Sequence, residues 1–144
     1  MNRAILDTDI FSEILKGRDV AVAAAAKNYR AAFGRFSITS ITVMELVRGV
    51  RKKSRSIGIA RLVEYLDAAE ILDFDRPAAE VAGQIYADLE RTGQPIGRAD
   101  PMIAGLALHH GLVLVTANTS HFQRIRDLGY ALEIENWRDV RPVS

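Results

Sequence analysis

The apolar run LVLV at residues 112–115 constrains the fold more than any other stretch of the chain. It is rich in β-branched residues and is bounded by Gly111 on one side and by polar residues on the other. A short run of this kind is typical of a strand buried on both faces in the middle of a parallel sheet. The preceding segment predicts a helix that opens at Gly97 and Asp100-Pro101. One carboxylate, Asp100, therefore begins a helix that leads directly into the predicted centre of the sheet.

Other short apolar runs alternate with segments of helical periodicity along the whole chain. The predicted strands lie near residues 4–6, 36–39, 71–74, 112–115 and 132–135, and the predicted helices near 10–17, 20–33, 43–47, 59–66, 77–93, 100–111 and 122–128. Alternation of strands and helices implies a mostly parallel sheet covered by helices on both faces. We therefore expect a three-layer α/β architecture with four to five strands, formed as a single domain over residues 1–144.

Composition excludes several classes of protein. Apolar residues make up 49% and charged residues 26% of the chain, which is ordinary for a globular domain. The formal net charge is only +1, so a nucleic acid would need a local basic patch, and the segment Arg48 to Arg55 is the one dense candidate. The lack of cysteine excludes disulfides, thiolate zinc sites and a cysteine nucleophile. No signal peptide or membrane span is predicted, and we expect a cytoplasmic protein without a membrane partner.

Oxygen-bearing side chains follow several of the predicted strands. Asp7 comes directly after the first strand, Glu45 lies in the first turn of the helix after the second, and Asn118 follows the fourth. The carboxyl ends of parallel strands meet at one edge of a sheet, and ligands bind beyond that edge. The helix that begins at Asp100 runs antiparallel to the strands, so its start returns to the same edge. The sequence therefore predicts a pocket lined by all four side chains.

Clustered carboxylates repel one another unless a proton or a cation neutralises them. Oxygen ligands without a nearby cysteine favour a hard ion such as Mg²⁺ or Mn²⁺. An ion of this kind activates water and stabilises charge at a phosphorus centre. Hydrolysis of a phosphodiester is the chemistry that this donor set indicates.

A purely structural interpretation exists for each acid. Thr42 and Glu45 have the spacing of a capping box, and Asp100 before Pro101 has the pattern of an N-cap followed by proline at the first helical position. Asp7 is also placed to cap the first helix. Helix capping does not explain why three such carboxylates fall at one edge of the sheet.

Three motifs carry a resemblance to a known family. They are LDTDIFSE at residues 6–13, SITVMELVRG at 40–49 and IGRADPMIAGLALHHGLVLVTANTSHF at 96–122. In order and spacing the chain resembles PIN domains of the VapC class, the ribonuclease toxins of type II toxin–antitoxin pairs. The resemblance implies a Mg²⁺-dependent endoribonuclease, with Mn²⁺ as a possible substitute, whose metal ligands match Asp7, Glu45 and Asp100. It also implies a homodimer held inactive by a cognate antitoxin whose tail lies in or near the active site.

The chain departs from the family pattern after the fourth strand, where relatives often carry a fourth acid. Thr116, Asn118 and His121 occupy that neighbourhood, and the first acid after them is Asp127. We expect Asn118 to take the catalytic role as a neutral oxygen ligand or through a bound water. Asp9 stands where related sequences often have asparagine, and it offers partial compensation.

Three further features are less specific. Arg98 lies two residues before Asp100, which favours contact with a phosphate or with an antitoxin carboxylate. The pair His109-His110 is placed near a helix end and does not predict a zinc site. Trp137 lies in a polar tail, and we expect it to pack against the body of the protein or a partner.

Two other functions compete with the nuclease. Aspartate-nucleophile phosphatases and receiver domains also place acids after a first strand, but they need a later lysine, and this chain has none after Lys53. The other alternative is a catalytically weak PIN-like module that binds RNA or a partner without cutting. The sequence leaves open which RNA is cut, which antitoxin binds, which surface forms the dimer and how many metal ions are held.

Overall fold

The computed structural model describes residues 1–53, 56–94 and 99–138 and shows a parallel sheet enclosed by helices. The strands are β1 (Ala4–Leu6), β2 (Ser37–Thr39), β3 (Glu70–Leu72), β4 (Val113–Val115) and β5 (Ile134–Glu135). The helices are α1 (Thr8–Lys16), α2 (Val20–Phe33), α3 (Ser40–Lys52), α4 (Ser56–Ala68), α5 (Arg76–Arg91), α6 (Asp100–His110) and α7 (Thr119–Asp127). The predicted alternation of strands and helices is confirmed.

The strand order is β3-β2-β1-β4-β5, and every pairing is parallel. The chain builds outward from β1 through β2 to β3 and then returns to place β4 on the other side of β1. The order of the strands therefore reverses between β1 and β4, which pair from Ala4↔Val113 to Leu6↔Val115. In open sheets of this type the ligand site lies past the carboxyl ends of the strands at such a reversal.

Side chains of the two central strands alternate between two hydrophobic cores. Ala4 and Leu6 of β1 join a core formed with α1 to α4, whereas Ile5 joins a second core formed with α5 to α7. In β4, Val113 and Val115 face the first core and Leu114 the second. This alternation follows from the two-residue period of a strand, and it confirms the predicted three-layer architecture.

Apart from β1, which has the predicted bounds, the strands are shorter than the runs that predict them. The third was expected at residues 71–74, but β3 is Glu70–Leu72. It stops there because the backbone N–H of Phe74 donates to the hydroxyl of Ser40 at 3.1 Å instead of to a strand. The predicted helix opening at Gly97 lies outside the described residues, and α6 begins at Asp100.

Gly105 sets how closely α6 approaches α5. A Cβ at this position would lie 2.8 Å from the carbonyl oxygen of Ala78 and 3.1 Å from the backbone nitrogen of Ala82. Neither backbone atom can move cheaply, so only glycine allows this approach. The close contact fixes the position of the helix that begins with Asp100.

The polar tail after β5 is anchored by a buried aromatic residue. Trp137 is fully buried in the first core, with its ring centroid 5.7 Å from that of Tyr29. It therefore packs against the body of the protein, and it brings the following residue, Arg138, within 3.8 Å of Glu13 on α1. Within the described ranges, no helix is both long enough and apolar enough to cross a membrane.

Candidate functional site

Asp7 lies at the reversal of strand order, immediately after β1, with 6% of its surface exposed. Its Oδ1 accepts a hydrogen bond from the Thr8 amide at 2.8 Å, and its Oδ2 accepts one from the Thr116 hydroxyl at 2.8 Å. Its own amide donates to the carbonyl of Val115 at 2.8 Å. Asp7 therefore caps α1 as predicted, and it is held between the ends of β1 and β4.

Asp9 connects α1 to the loop after β4. Its Oδ2 accepts from the Ala117 amide at 3.0 Å, while its Oδ1 accepts from the Ile10 amide at 2.7 Å. The carboxylate thus sits on the same edge of the sheet as Asp7.

Glu45 is held by a hydroxyl from another helix. Thr8 on α1 donates to Glu45 Oε1 at 2.7 Å, and the same hydroxyl lies 3.0 Å from that of Thr42. The capping-box interpretation of Thr42 and Glu45 is wrong, because the N-cap of α3 is Thr39, whose hydroxyl accepts from the Thr42 amide at 3.1 Å. Since α3 begins at Ser40, Glu45 also lies beyond the first turn in which it was predicted.

Asp100 lies in the first turn of α6. The N-cap of that helix is Ala99, which makes no side-chain capping bond, so the prediction of Asp100 as the N-cap is wrong. Its side chain is 13% exposed, and its Oδ2 lies 3.6 Å from Nδ1 of His121. The structural role predicted for this carboxylate is therefore absent, and the side chain is directed toward α7.

The pKa of Asp7 shows that Asp7, Asp9 and Asp100 share one electrostatic environment. Burial, followed by the negative charge of Asp9, raises the pKa of Asp7 from 3.8 to about 7, against the opposing hydrogen bonds from Thr116 and Thr8, and the charge of Asp100 raises it further. Burial also raises the pKa of Asp9, although the amides that it accepts from lower it. Negative charge thus accumulates at one edge of the sheet.

The hydroxyl of Tyr86 on α5 also responds to the negative charge of Asp100. Burial and then the charge of Asp100 raise the pKa of its hydroxyl. Arg138 acts in the opposite direction, because its positive charge lowers the pKa of Asp9. Its guanidinium lies 3.8 Å from the carboxylate of Glu13 on α1.

The donor set suits a hard divalent cation, but the acids do not converge on a single point. Within the described part of the chain, no three acidic or histidine side chains are close enough to hold one ion together. The reason is that Asp7, Asp9 and Glu45 each point oxygens at donors of the protein itself. Mg²⁺ usually keeps several waters and takes only one or two carboxylates from the protein, so this arrangement fits its chemistry.

Asn118 precedes α7 and is exposed. Its amide donates to the Thr116 hydroxyl at 3.0 Å, and its side chain makes no capping bond. No described contact joins it to the acids, so its catalytic role stays a prediction. Arg98, also predicted to be functional, lies outside the described residues.

Four residues of the site were not assigned a role from the sequence: Thr8, Thr116, His121 and Arg138. The position of Thr116 directly after β4 is a signal that could have identified it, because Asp7 has the same position after β1. Thr8, His121 and Arg138 reach the site through contacts between elements that are distant in sequence.

A groove between α1, α3 and α4 adjoins Glu45. Leu15, Leu46 and Leu62 contribute apolar lining, and the exposed residues Lys16 and Arg61 bring positive charge to it. The groove includes Thr8, so it opens directly onto the edge that carries the acids.

Comparisons with known proteins identify the family. The PIN domain family matches residues 4–128. The tRNA(fMet)-specific endonuclease VapC of Shigella flexneri is 35% identical over 138 residues, which cover 95% of this chain and 99% of that protein. The enzyme of the same name from Salmonella typhimurium is 43% identical over 104 residues, which cover 72% and 76%. The crystal structure of DNA-bound VapBC from Salmonella typhimurium superimposes with a TM-score of 0.81 at 36% identity, covering 95% of this chain and 99% of that one.

The chain therefore belongs to the PIN domain family and, within it, to the VapC ribonucleases. PIN ribonucleases as a class depend on divalent metal ions.

Proposed function

We propose that this protein is a Mg²⁺-dependent endoribonuclease toxin of a type II toxin–antitoxin pair, which hydrolyses RNA phosphodiester bonds. The observation that carries the proposal is Asp7, a carboxylate buried at the reversal of strand order whose pKa is raised to about 7 by burial and by neighbouring acids. A carboxylate in such a place destabilises the fold when it ionises, unless a cation neutralises its charge. The homologues named as RNA endonucleases favour a nuclease over a module that only binds.

Asp7, Glu45 and Asp100 are the proposed metal ligands, bound directly or through waters that the ion keeps, and Asn118 is a proposed fourth group. A divalent ion bound there supplies an activated water and positive charge against the charge that develops on the phosphate. The remaining groups of the chain hold these ligands in place. Thr116 fixes the orientation of Asp7, and Thr8 fixes that of Glu45.

The proposed partners are an RNA substrate, a cognate antitoxin and a second copy of the chain. Solved relatives are VapBC complexes, which supports an antitoxin. The groove beside Glu45, with its apolar lining and basic side chains, suits an antitoxin segment that carries apolar and acidic residues. Exposed apolar side chains at Met44, Val47 and Val63 provide a surface for subunit contacts.

We also propose that residues 1–144 form one domain, because a single sheet takes strands from Ala4 to Glu135. A cytoplasmic location is consistent with an RNA substrate and with a chain that contains no cysteine.

The test is RNA cleavage by purified protein freed of any antitoxin, in Mg²⁺, in Mn²⁺ and in chelator. The RNA panel should include initiator tRNA, the substrate named for the relatives from Shigella and Salmonella. Asp100→Asn keeps the shape of the side chain and removes its charge, and we expect it to lower the cleavage rate by roughly 10²-fold or more. Asp67→Asn, at an exposed position on α4, is the matched control.

Cleavage that needs the metal, fails in Asp100→Asn and survives in Asp67→Asn supports the proposal. Cleavage that persists in chelator, or an Asp100→Asn variant as fast as the wild type, contradicts the proposed chemistry. A folded, metal-binding wild type that cuts no RNA of the panel contradicts the nuclease assignment.

A further inference from the structure

His121 is the third residue of α7, and its imidazole faces the start of α6. Its Nδ1 is buried although 35% of the side chain is exposed, and within the described residues this nitrogen makes no hydrogen bond. The nearest acidic oxygen, Oδ2 of Asp100, is 3.6 Å away, which is beyond the usual length of a nitrogen–oxygen hydrogen bond. A buried ring nitrogen with this geometry needs an explanation, because an unsatisfied buried polar atom destabilises a fold.

The separation matches that of two ligands on one metal ion. Two donors bound at about 2.1 Å to the same ion lie roughly 3 to 3.5 Å apart. The 3.6 Å between Nδ1 of His121 and Oδ2 of Asp100 is close to this range. The pair also lies near Asp7, since the charge of Asp100 raises the pKa of Asp7.

We propose that His121 is a metal ligand beside Asp100 and that this nitrogen makes the site prefer Mn²⁺ to Mg²⁺. The inference rests on the proposed metal-dependent nuclease and specifies which ion that site selects. It adds His121 to Asn118 in the neighbourhood where related sequences often carry a fourth acid. Asn118 has no described contact with the acids, whereas Nδ1 of His121 lies 3.6 Å from Oδ2 of Asp100.

The preference for Mn²⁺ follows from ligand chemistry. Mg²⁺ is a hard ion that binds oxygen and loses its waters reluctantly. Imidazole nitrogen binds first-row transition ions better than it binds Mg²⁺, and Mn²⁺ also accepts carboxylate oxygens. A site of several carboxylates with one imidazole therefore gains more affinity for Mn²⁺ than for Mg²⁺.

The competing interpretation is that His121 only orients Asp100. A positioning residue would affect both ions alike, because Asp100 binds either of them through oxygen. A ligand affects Mn²⁺ selectively and places a nitrogen on the ion. These two consequences distinguish the interpretations without any measurement of RNA cleavage.

The experiment uses the full, untagged chain freed of antitoxin and metal, and it measures binding of Mn²⁺ alone and Mg²⁺ alone by calorimetry. Pulsed electron paramagnetic resonance of bound Mn²⁺ then detects coupling to a ligating ¹⁴N nucleus. The variants are His121→Ala and His121→Asp, where the second restores an acid. His109→Ala removes an exposed imidazole at the end of α6 and is the matched control for adventitious binding.

For His121→Ala we expect Mn²⁺ affinity to fall by roughly 10- to 100-fold, Mg²⁺ affinity to change by less than about 3-fold, and the ¹⁴N coupling to disappear. His121→Asp should lose the coupling and bind Mg²⁺ at least as tightly as the wild type. His109→Ala should behave as the wild type in every measurement.

The absence of ¹⁴N coupling in the wild type, or an equal loss of both ions in His121→Ala, overturns the assignment of His121 as a ligand. The proposed nuclease can be judged separately. If the wild type cuts RNA with either ion but shows no ¹⁴N coupling, only the role of His121 fails. If it binds neither ion and cuts no RNA, the proposed function fails with it.

Discussion

Acidic side chains at the two ends of the sheet have opposite surroundings. At the amino end, Glu70 of β3 accepts a hydrogen bond from the Ser37 hydroxyl at 2.7 Å and pairs with Arg3 at 3.3 Å and Arg35 at 3.4 Å. At the carboxyl end, Asp7 accepts from an amide and a hydroxyl, and the charges that raise its pKa are those of other acids. Among the described residues, Glu70 has two arginines that neutralise its charge, whereas Asp7 has no basic side chain paired with it.

The comparison separates an acid whose charge is balanced within the fold from the acids that we propose as metal ligands. A carboxylate beside two arginines has its charge balanced within the folded chain. A buried carboxylate beside other carboxylates destabilises the fold when it ionises, and the chain tolerates this where a bound cation restores the balance. Arg138 compensates in part, since its charge lowers the pKa of Asp9.

The largest effect that would test this comparison is the response of Asp7→Asn to pH in the absence of metal. The pKa of Asp7 is about 7 in the folded protein, against 3.8 when unperturbed. Between these values the folded chain holds a proton that the unfolded chain has released, so the free energy of unfolding falls as pH rises, by at most roughly 4 kcal/mol in total. The destabilisation is absent below about pH 4 and complete above about pH 7.

Asp7→Asn cannot ionise, so this variant should be more stable than the wild type at pH 8, and the difference should shrink as pH falls toward 4. Urea denaturation across this range, in chelator, measures the effect. Added Mn²⁺ should stabilise the wild type at pH 8 and leave the variant unchanged. Parallel pH curves for the two proteins would mean that Asp7 ionises as an ordinary exposed acid, and the contrast with Glu70 would fail.

A smaller effect is expected when Thr116 is changed to valine. The Thr116 hydroxyl donates to Asp7 at 2.8 Å and accepts from the Asn118 amide at 3.0 Å, and both bonds lower the cost of burying their partners. Thr116→Val should reduce the free energy of unfolding by about 1–3 kcal/mol at pH 8, where Asp7 is ionised. Loss of the hydroxyl should also raise the pKa of Asp7 further.

Thr116→Ser loses the methyl group but retains the hydroxyl, so it is the control for the hydrogen bonds. Its free energy of unfolding should depend on pH as that of the wild type does. In Thr116→Val the fall in stability with pH should continue to a higher pH, because the pKa of Asp7 is raised further. If valine and serine give the same profile, the hydroxyl does not support the Asp7 carboxylate.

The fold could be predicted from the sequence because its signals are local. The runs that became β1 and β4 are short, apolar and bounded by polar residues or glycine, and the segments between them have helical periodicity. The sequence also predicted Asp7, Glu45 and Asp100 near the carboxyl edge of the sheet. Parallel topology brings the carboxyl ends of the strands together, independently of the contacts that the side chains make. Strand bounds were less accurate, since a single hydrogen bond from Phe74 to Ser40 ends β3 early.

The internal arrangement of the site could not be predicted in this way. A capping box was a reasonable interpretation of Thr42 and Glu45, but a hydroxyl from α1 competes for the same carboxylate. His121 was assigned no role from the sequence, yet the packing of α6 and α7 brings its Nδ1 to 3.6 Å from Asp100. Contacts between distant elements decide both outcomes, and local spacing does not encode them.

The smallest effect is expected at the amino end of the sheet, with Glu70→Gln. Both arginines are more than half exposed, so water and salt screen their attraction, and such pairs contribute at most about 1 kcal/mol. Glutamine can still accept from the Ser37 hydroxyl. We therefore expect the free energy of unfolding to fall by less than about 1 kcal/mol in low salt. The loss should shrink further at high ionic strength, because screening weakens exposed pairs.

Urea denaturation at two salt concentrations measures this loss of stability. Glu80→Gln, at another exposed ion pair, is the control. A loss above about 2 kcal/mol that persists in high salt would show that Glu70 balances charge in a less solvated place than its exposure indicates. In that case the acids at the two ends of the sheet would differ in the sign of the neighbouring charges but not in the strength of their interaction with those charges.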